Sequence, residues 1–241
     1  DYANSHEGPN GEILSGWQIR NNHLPARIKE EHSETAYMTD RAMDFIAETG
    51  DDPWCLHLSY IKPHWPYVAP APYHNMYGHN DMIPVNRHSS EKENAHPVYK
   101  FFMGRPDCET FSRDEVRNNV IPAYMGLIKQ IDDHMGRLFN FLEESGRMDD
   151  TMIVFTSDHG DYLGDHYMAE KDLFHEASVH IPMIIYDPSE ASNTTRGTVD
   201  DRFLEAIDLA PTFIEAAGGE IPDHILEGRS LIPLLNGKEL V

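Results

Sequence analysis

The chain of 241 residues is 40% hydrophobic and 25% charged. These are ordinary proportions for a folded protein of one large or two small domains, with apolar material enough for a core. Its 19 Lys and Arg against 41 Asp and Glu leave a formal net charge of -22, which excludes nucleic acid and anionic membrane surfaces as partners wherever the charge is not locally reversed.

Residues 1–33 are polar, broken by Gly8, Pro9, Gly11, Gly16 and Pro25, and carry no sustained period. From Thr35 to Glu48 the apolar positions Tyr37, Met38, Ala42, Phe45 and Ile46 predict a short helix. Asp51-Asp52-Pro53 turns the chain into Trp54–Tyr60, a predicted buried strand. A stiff loop follows, Lys62-Pro63-His64-Trp65-Pro66, with further prolines at Pro70 and Pro72. Residues 74–119 are polar and turn-rich and read as an excursion over the surface.

Tyr124, Leu127, Ile128, Ile131, Met135, Leu138, Phe139 and Leu142 recur at three- and four-residue steps, one apolar stripe of a long helix. Gly146 stops it. Thr151–Ser157 is a short, nearly continuous apolar run, typical of a central parallel strand covered on both faces. Ile181–Tyr186 predicts a second buried strand. Asp208 is placed as the N-cap of another helix, with Pro211 in its first turn and Gly218-Gly219 at its end. Helix, tight turn and buried strand make an α/β layout.

Two cysteines, Cys55 and Cys108, are too few for a disulfide framework and lack zinc-ligand spacing, which leaves a single bridge between them open. No stretch has the length of a membrane span. The chain is expected to be soluble, with cytoplasm and periplasm both open. It starts at Asp1-Tyr2-Ala3-Asn4 without a methionine or a signal-like segment, so an excised piece or a processed product is expected.

Ser157-Asp158-His159-Gly160 carries the strongest chemical signal. In open α/β sheets ligands bind outside the carboxyl ends of strands, and Asp158 and His159 stand at that end of the strongest predicted strand. A carboxylate beside an imidazole offers hard and borderline ligands to a divalent cation, and Gly160 lets the backbone turn away sharply. The same dipeptide also suits a capping aspartate beside a surface histidine. Lys171, 12 residues after His159, can hold an anionic substrate oxygen near such a cation, or can simply be a solvated surface lysine. His64, on its proline-flanked loop, can protonate a leaving group or bind an oxyanion, or mark a rigid surface turn.

The run Met152–His166 resembles the second metal-binding segment of the sulfatase family, within the alkaline phosphatase superfamily. Ser59-Tyr60-Ile61-Lys62-Pro63-His64-Trp65-Pro66 resembles that family's proline–histidine–proline loop, and Tyr124–Leu142 its long helix with Gln130-Ile131-Asp132-Asp133. Asp208–Thr212 resembles a later helix start, and Gly228–Leu235 the late closing segment. Val68–Tyr73 and Glu170–Glu176 are similar to phosphonate monoester hydrolases and their arylsulfatase relatives.

The resemblance implies an alkaline-phosphatase-like α/β sandwich with a mostly parallel central sheet flanked by helices, present here without its N-terminal portion. Residues 1–119 would form a helix, strand and loop-rich substrate side, 120–218 the core segment with the metal-ligand strand, and 219–241 the closing segment. Asp158 and His159 match two ligands of a single cation, with calcium the first expectation and manganese, magnesium and zinc open. Lys171 matches a lysine on the substrate's charged group, and His64 the histidine that assists the leaving group. The family's cysteine, which becomes formylglycine in a Cys-x-Pro-x-Arg segment, has no match at Cys55 or Cys108 and is expected outside this chain. His180 stands where relatives often carry arginine.

The function so implied is metal-dependent hydrolysis of sulfate esters, with a phosphonate monoester or phosphodiester hydrolase of the same superfamily as the alternative. A two-metal phosphodiesterase or phosphomutase and a non-catalytic binding or structural module are the rivals. The expected partner is a small anionic ester. Nucleic acid and membrane are not expected, homo-oligomerisation is left open, and the 241 residues alone are expected to be inactive.

Overall fold

The computed structural model describes residues 4–222 and 224–238, and the chain divides into two compact units. One comprises Asp1–Phe141 and His159–His180, the other Leu142–Asp158 and Ile181–Val241.

The first unit opens with a hairpin, β1 (Ser5–Glu7) against β2 (Ile13–Ser15), antiparallel with Ser5 opposite Ser15. Three-residue strands are too short to show a period of two, so the sequence did not announce them. Helix α1 (Glu34–Glu48) forms where predicted, and Ser33 Oγ accepts from the Ala36 amide at 3.2 Å as its N-cap. Its buried face differs from the apolar reading. Thr35, Ala36, Thr39, Ala42 and Ile46 point inward, whereas Tyr37 and Phe45 are exposed. Small residues let the helix approach closely, and Thr39 satisfies its hydroxyl on Thr35 O and Tyr60 Oη.

Trp54–Tyr60 is not a strand. It has no ladder partner among the described residues, and half-buried and exposed positions alternate along it. Residues 74–119 are likewise not only a surface excursion. They hold α2 (Ser90–Glu93), α3 (Pro97–Met103) and α4 (Pro106–Phe111), the last two with proline in the first turn, where its missing N–H is harmless. The turn signals Pro97 and Pro106 were therefore helix starts. Cys108 and Phe111 of α4 are buried, and with Tyr67, Val116, Val120, Leu127, Tyr162 and Met168 they make the core of this unit.

Helix α5 (Asp114–Glu144) starts well before the predicted Tyr124 and continues through Pro122. Its buried residues include three polar ones, Arg117, Gln130 and His134, because partners await them, the Leu163 carbonyl taking Arg117 at 3.0 Å. Gln130 Nε2 donates to Ser33 Oγ at 2.8 Å. Arg137 donates to His134 Nδ1 at 3.0 Å, so His134 Nε2 carries the proton and donates to Glu30 at 2.5 Å. Arg137 also pairs with Asp40 of α1 at 2.7 Å. Helix α1 is thereby tied to α5 through a satisfied polar seam.

In the second unit β3 (Ile153–Thr156) pairs with β4 (Met183–Tyr186), Ile153 opposite Tyr186. Both strands lie where predicted. Their pairing is antiparallel rather than parallel, and all of β3 is half-buried rather than covered on both faces. Helix α7 (Leu209–Ala216) follows Asp208, which stands at the N-cap position but spends its carboxylate elsewhere: on the Arg229 amide at 2.8 Å and the Glu205 amide at 2.9 Å. Thr212 of α7 accepts from the Leu231 amide, just before α8 (Ile232–Leu235). Both cysteines are free thiols, Cys55 exposed and Cys108 buried, with no bridge between them. No helix among the described residues is long and apolar enough to cross a membrane.

Replacing His134 by alanine leaves Glu30 with only the longer Gln130 donor at 3.3 Å and takes the acceptor from one Arg137 N–H, beside a buried void. We expect a loss of about 1–3 kcal/mol in equilibrium urea unfolding, with His134→Gln losing less because its amide still reaches Glu30.

Candidate active site

Three of the four residues singled out from the sequence lie in the first unit, and the fold brings them together. Lys171 Nζ is 2.7 Å from His64 Nε2 across 107 positions of sequence, and the rings of His64 and His159 meet edge to face with centroids 5.8 Å apart. The fourth, Asp158, is exposed, and the division between the two units falls at the Asp158–His159 peptide.

The protons on the histidines follow from their partners. His64 Nδ1 lies 3.0 Å from Trp65 O, and a carbonyl can only accept, so Nδ1 carries the hydrogen. Nε2 then holds the lone pair that receives the Lys171 ammonium. His159 repeats the pattern, with Nδ1 donating to Gly160 O at 2.7 Å. Its lone pair is thus on Nε2, the tautomer found when a metal-ligating imidazole gives its other N–H to a backbone carbonyl. The donor set of Asp158 and His159, one carboxylate and one such imidazole, suits a divalent cation. Two ligands are not a closed site, and no group of three or more His, Cys, Asp or Glu side chains able to hold a metal ion occurs among the described residues.

Two loops are held side by side. Tyr67, three residues after His64, donates its hydroxyl to Asp161 Oδ2 at 2.7 Å, and the Leu163 amide donates to Oδ1 of the same carboxylate at 3.0 Å. Burial pushes the Asp161 carboxyl up to about 6, against the pull of these two hydrogen bonds, and it also raises the Tyr67 phenol. Tyr67 is wholly buried among Trp65, Phe111 and Tyr124. Lys62 closes the histidine loop from within by donating to Pro66 O at 2.9 Å.

The loop from Asp161 to Glu170 returns the chain to His64. Tyr162 N donates to Glu170 O and Gly164 N to Met168 O, both at 2.9 Å. Gly164 adopts φ +98, and the non-glycine residues Leu163, His166, Tyr167 and Glu170 also adopt positive φ. Left-handed conformations of this kind persist only where the surroundings over-determine them. Ser178 Oγ holds Lys171 O at 2.7 Å.

Gly160 is required for a reason other than the sharp turn read from the sequence, since its φ is not left-handed. An added Cβ would sit 2.1 Å from Ala177 O, and the Gly160 amide donates to Ser178 O at 2.8 Å. The strand of backbone leaving His159 therefore lies directly on α6 (Glu176–Val179). His180 beyond it is exposed and pairs with Glu176 at 2.7 Å.

Sequence reasoning passed over Glu170, Asp161 and Tyr67. Glu170 Oε2 is 3.3 Å from Lys171 Nζ and 4.0 Å from His64 Nε2. The available signal was position alone: each lies within three residues of a residue already chosen.

A family model described as Sulfatase matches residues 3–219. The multifunctional alkaline phosphatase superfamily protein PehA of Trinickia caryophylli is 40% identical over 224 residues, covering 88% of this chain and 43% of that protein. An arylsulfatase of Clostridium perfringens is 31% identical over 216 residues, covering 88% and 44%. Among solved structures, a phosphonate monoester hydrolase from Silicibacter pomeroyi superposes with a TM-score of 0.85 at 33% identity, over 99% of this chain and 47% of that one. The phosphonate monoester hydrolase of Agrobacterium radiobacter gives 0.82 at 30%, over 90% and 45%. The chain spans less than half the length of these relatives. It holds part of the alkaline-phosphatase-like α/β architecture that the sequence implied.

Gly160→Ala drives a methyl into a backbone oxygen that no rotamer change can move. Its loss is expected to be about 1–3 kcal/mol, a drop in Tm of roughly 3–10 °C. Gly136→Ala is the control, an exposed position of α5 with no atom within 4 Å of the new carbon, where a gain of up to ~1 kcal/mol is expected. Differential scanning calorimetry of the two variants reads both signs.

Proposed function

This chain belongs to the sulfatase family, and from that premise we propose that it forms the His64- and Lys171-bearing part of a metal-dependent hydrolase of sulfate esters. The single observation that carries the reading is the 2.7 Å contact between Lys171 Nζ and His64 Nε2. Nothing in local structure requires two residues so remote in sequence to meet at the mouth of one loop, and an anionic ester gives both a purpose.

In this reading Asp158 and His159 contribute two ligands to one divalent cation, with calcium the first expectation from oxygen-rich ligation. Once bound, such a cation neutralises the oxygens of the tetrahedral group. The remaining ligands, and a formylglycine nucleophile, are assigned to polypeptide outside these 241 residues. Neither cysteine here suits the nucleophile: Cys108 is buried with its thiol accepting from the Ala169 amide at 3.3 Å, and Cys55 lies in a segment without the required proline and arginine.

The chain's own groups would act on the departing oxygen and the anion. Lys171 turns its ammonium from His64 to a non-bridging oxygen, supplying a point charge at the place where negative charge gathers. His64, fixed by the Nδ1 hydrogen bond to Trp65 O, has Nε2 as its one free ring nitrogen once Lys171 turns away; it would take a proton there from solvent and pass it to the leaving group. Tyr67 and Asp161 take no proton. They keep the two loops in register.

A second reading, hydrolysis of phosphonate monoesters or phosphodiesters, is supported by the two phosphonate monoester hydrolases that superpose on nearly the whole chain. Sulfur and phosphorus esters ask for the same positive pocket, so the assay should include both an aryl sulfate and a phenylphosphonate ester.

In a protein of the relatives' length, Asp158→Ala and His159→Ala are expected to lose the bound divalent cation in elemental analysis and to lose turnover with it. Metal content and rate both unchanged in the two variants would end the proposal. Lys171→Ala is expected to lower kcat/KM by roughly 10²–10³-fold.

His64→Ala is expected to discriminate among leaving groups. An ester of an unactivated alcohol should lose roughly 10²-fold or more, and a nitrophenyl ester little, because a good leaving group departs without a proton. Equal losses for both esters would remove His64 from the role of acid.

A further inference from the structure

The loop that delivers Lys171 is clasped at its far end by a strap that the chemistry above does not use. Asn86 O accepts from the His166 amide at 2.8 Å, and the Asn86 amide donates to Asp165 Oδ1 at 2.9 Å. Arg87 and Lys92 both lie over the Tyr167 ring, at 5.2 and 3.9 Å from its centroid. Glu91 of α2 accepts from His166 Nδ1 at 3.1 Å.

Inside the clasp the imidazoles of His166 and His175 are stacked, with centroids 4.0 Å apart and planes within 12°. Parallel rings aim their lone pairs alongside each other, so the pair does not converge on a metal. Each ring instead has its own hydrogen-bond partners. His166 gives Nδ1–H to Glu91 and offers Nε2 to the Asn86 amide nitrogen at 3.4 Å. Tyr162 Oη accepts from the His175 amide at 3.2 Å and meets His175 Nδ1 at 2.8 Å, where it donates when Nδ1 carries no hydrogen. A proton added to His175 at Nδ1 would turn the hydroxyl hydrogen away, and among the described residues the buried Tyr162 Oη has no other hydrogen-bond acceptor. Facing His175 are His166 and Tyr162 from the loop, Glu91 from α2 and Tyr99 from α3. Burial, then the neighbouring His166, hold His175 below the ordinary imidazole range.

We propose that Glu91, His166 and His175 are positioning residues that form a proton-sensitive latch, holding the loop that presents Lys171 while His175 stays neutral and releasing it in acid. The consequence for turnover rests on the reading of Lys171 given above; the latch itself does not. The contact path is short: strap to His166, His166 to His175, and His175 to Tyr162, whose amide fixes Glu170 O next to Lys171. The sign follows from linkage. With His175 depressed in the folded state, the open loop binds more protons, so closure is fully present above the ordinary imidazole range and fades as pH falls through it.

The test is amide hydrogen exchange of the 241-residue chain, read at His166 and Gly164 and corrected for intrinsic rates, from about pH 7.5 to about 5.5. Uptake of one proton on opening gives up to roughly tenfold loss of protection per pH unit. We expect that loss in the wild type while the amides of α1 hold steady. His175→Phe keeps a ring for the stack but takes no proton, and should flatten the response. Glu91→Gln removes the charged acceptor for His166 Nδ1 and should lower protection at every pH without moving the pH at which the loss begins. Wild-type protection independent of pH, or a His175→Phe response equal to that of the wild type, overturns the latch. In a protein of the relatives' length, the acid limb of kcat/KM should move to lower pH in His175→Phe; an unmoved limb overturns the positioning role. Absence of any esterase activity would sink the functional reading and leave the exchange result standing.

Discussion

The hydrogen bond from Tyr67 to Asp161 is the constraint on which the arrangement depends. It joins the histidine loop to the loop that begins at His159, and it does so from inside the aromatic core, where Tyr67 is fully enclosed. A phenol so placed cannot swing to water, and a carboxylate that has lost most of its hydration is held by the two donors it has. Whatever position His64 takes follows from where Tyr67 is packed. The site is thus supported from the core outward, as a geometry that must hold to within a fraction of an ångström requires.

Much of this was legible in the sequence. The long helix, α1 and both strands of the second unit were found because each shows either a sustained period or a continuous apolar run, and α7 from its start and stop residues Asp208, Pro211 and Gly218-Gly219. His64, His159 and Lys171 were singled out one by one and do meet. What failed, failed for physical reasons. A run such as Trp54–Tyr60 shows its inclination to extend but not whether another strand will pair with it, and pairing direction in β3 is likewise set by the partner and not by the apolar residues of one strand. Pro97 and Pro106 are turn signals by composition and helix starts by position. In α5, Gln130 and His134 could be placed in the buried face only with knowledge of Glu30 and Ser33, roughly a hundred positions away.

Gly160 illustrates the same limit. The residue type pointed to a special backbone requirement, and that was right. The requirement is room for α6 rather than left-handed φ, and close approach of a distant segment has no local signature. Asp161, Tyr67 and Glu170 have none either. Their contacts to His64 and to each other span dozens of residues, whereas the Asp158-His159 dipeptide at a strand end stands out from its neighbours alone.

The resting partner of Lys171 is itself informative. An ammonium 3.3 Å from a carboxylate and 2.7 Å from a neutral imidazole has two options, and it sits nearer the uncharged one. Had it been clamped between two carboxylates, an incoming anion would have to displace a charge-assisted pair before gaining anything. On His64 it gives up one hydrogen bond to a neutral nitrogen and gains one to a charged oxygen. Glu170 stays close enough to balance the positive charge, and a partly exposed ion pair of this kind contributes little. In a chain of net charge -22, an anion is admitted, on the reading proposed above, not by a broad positive field but by two nitrogen groups that hold each other until something more negative arrives.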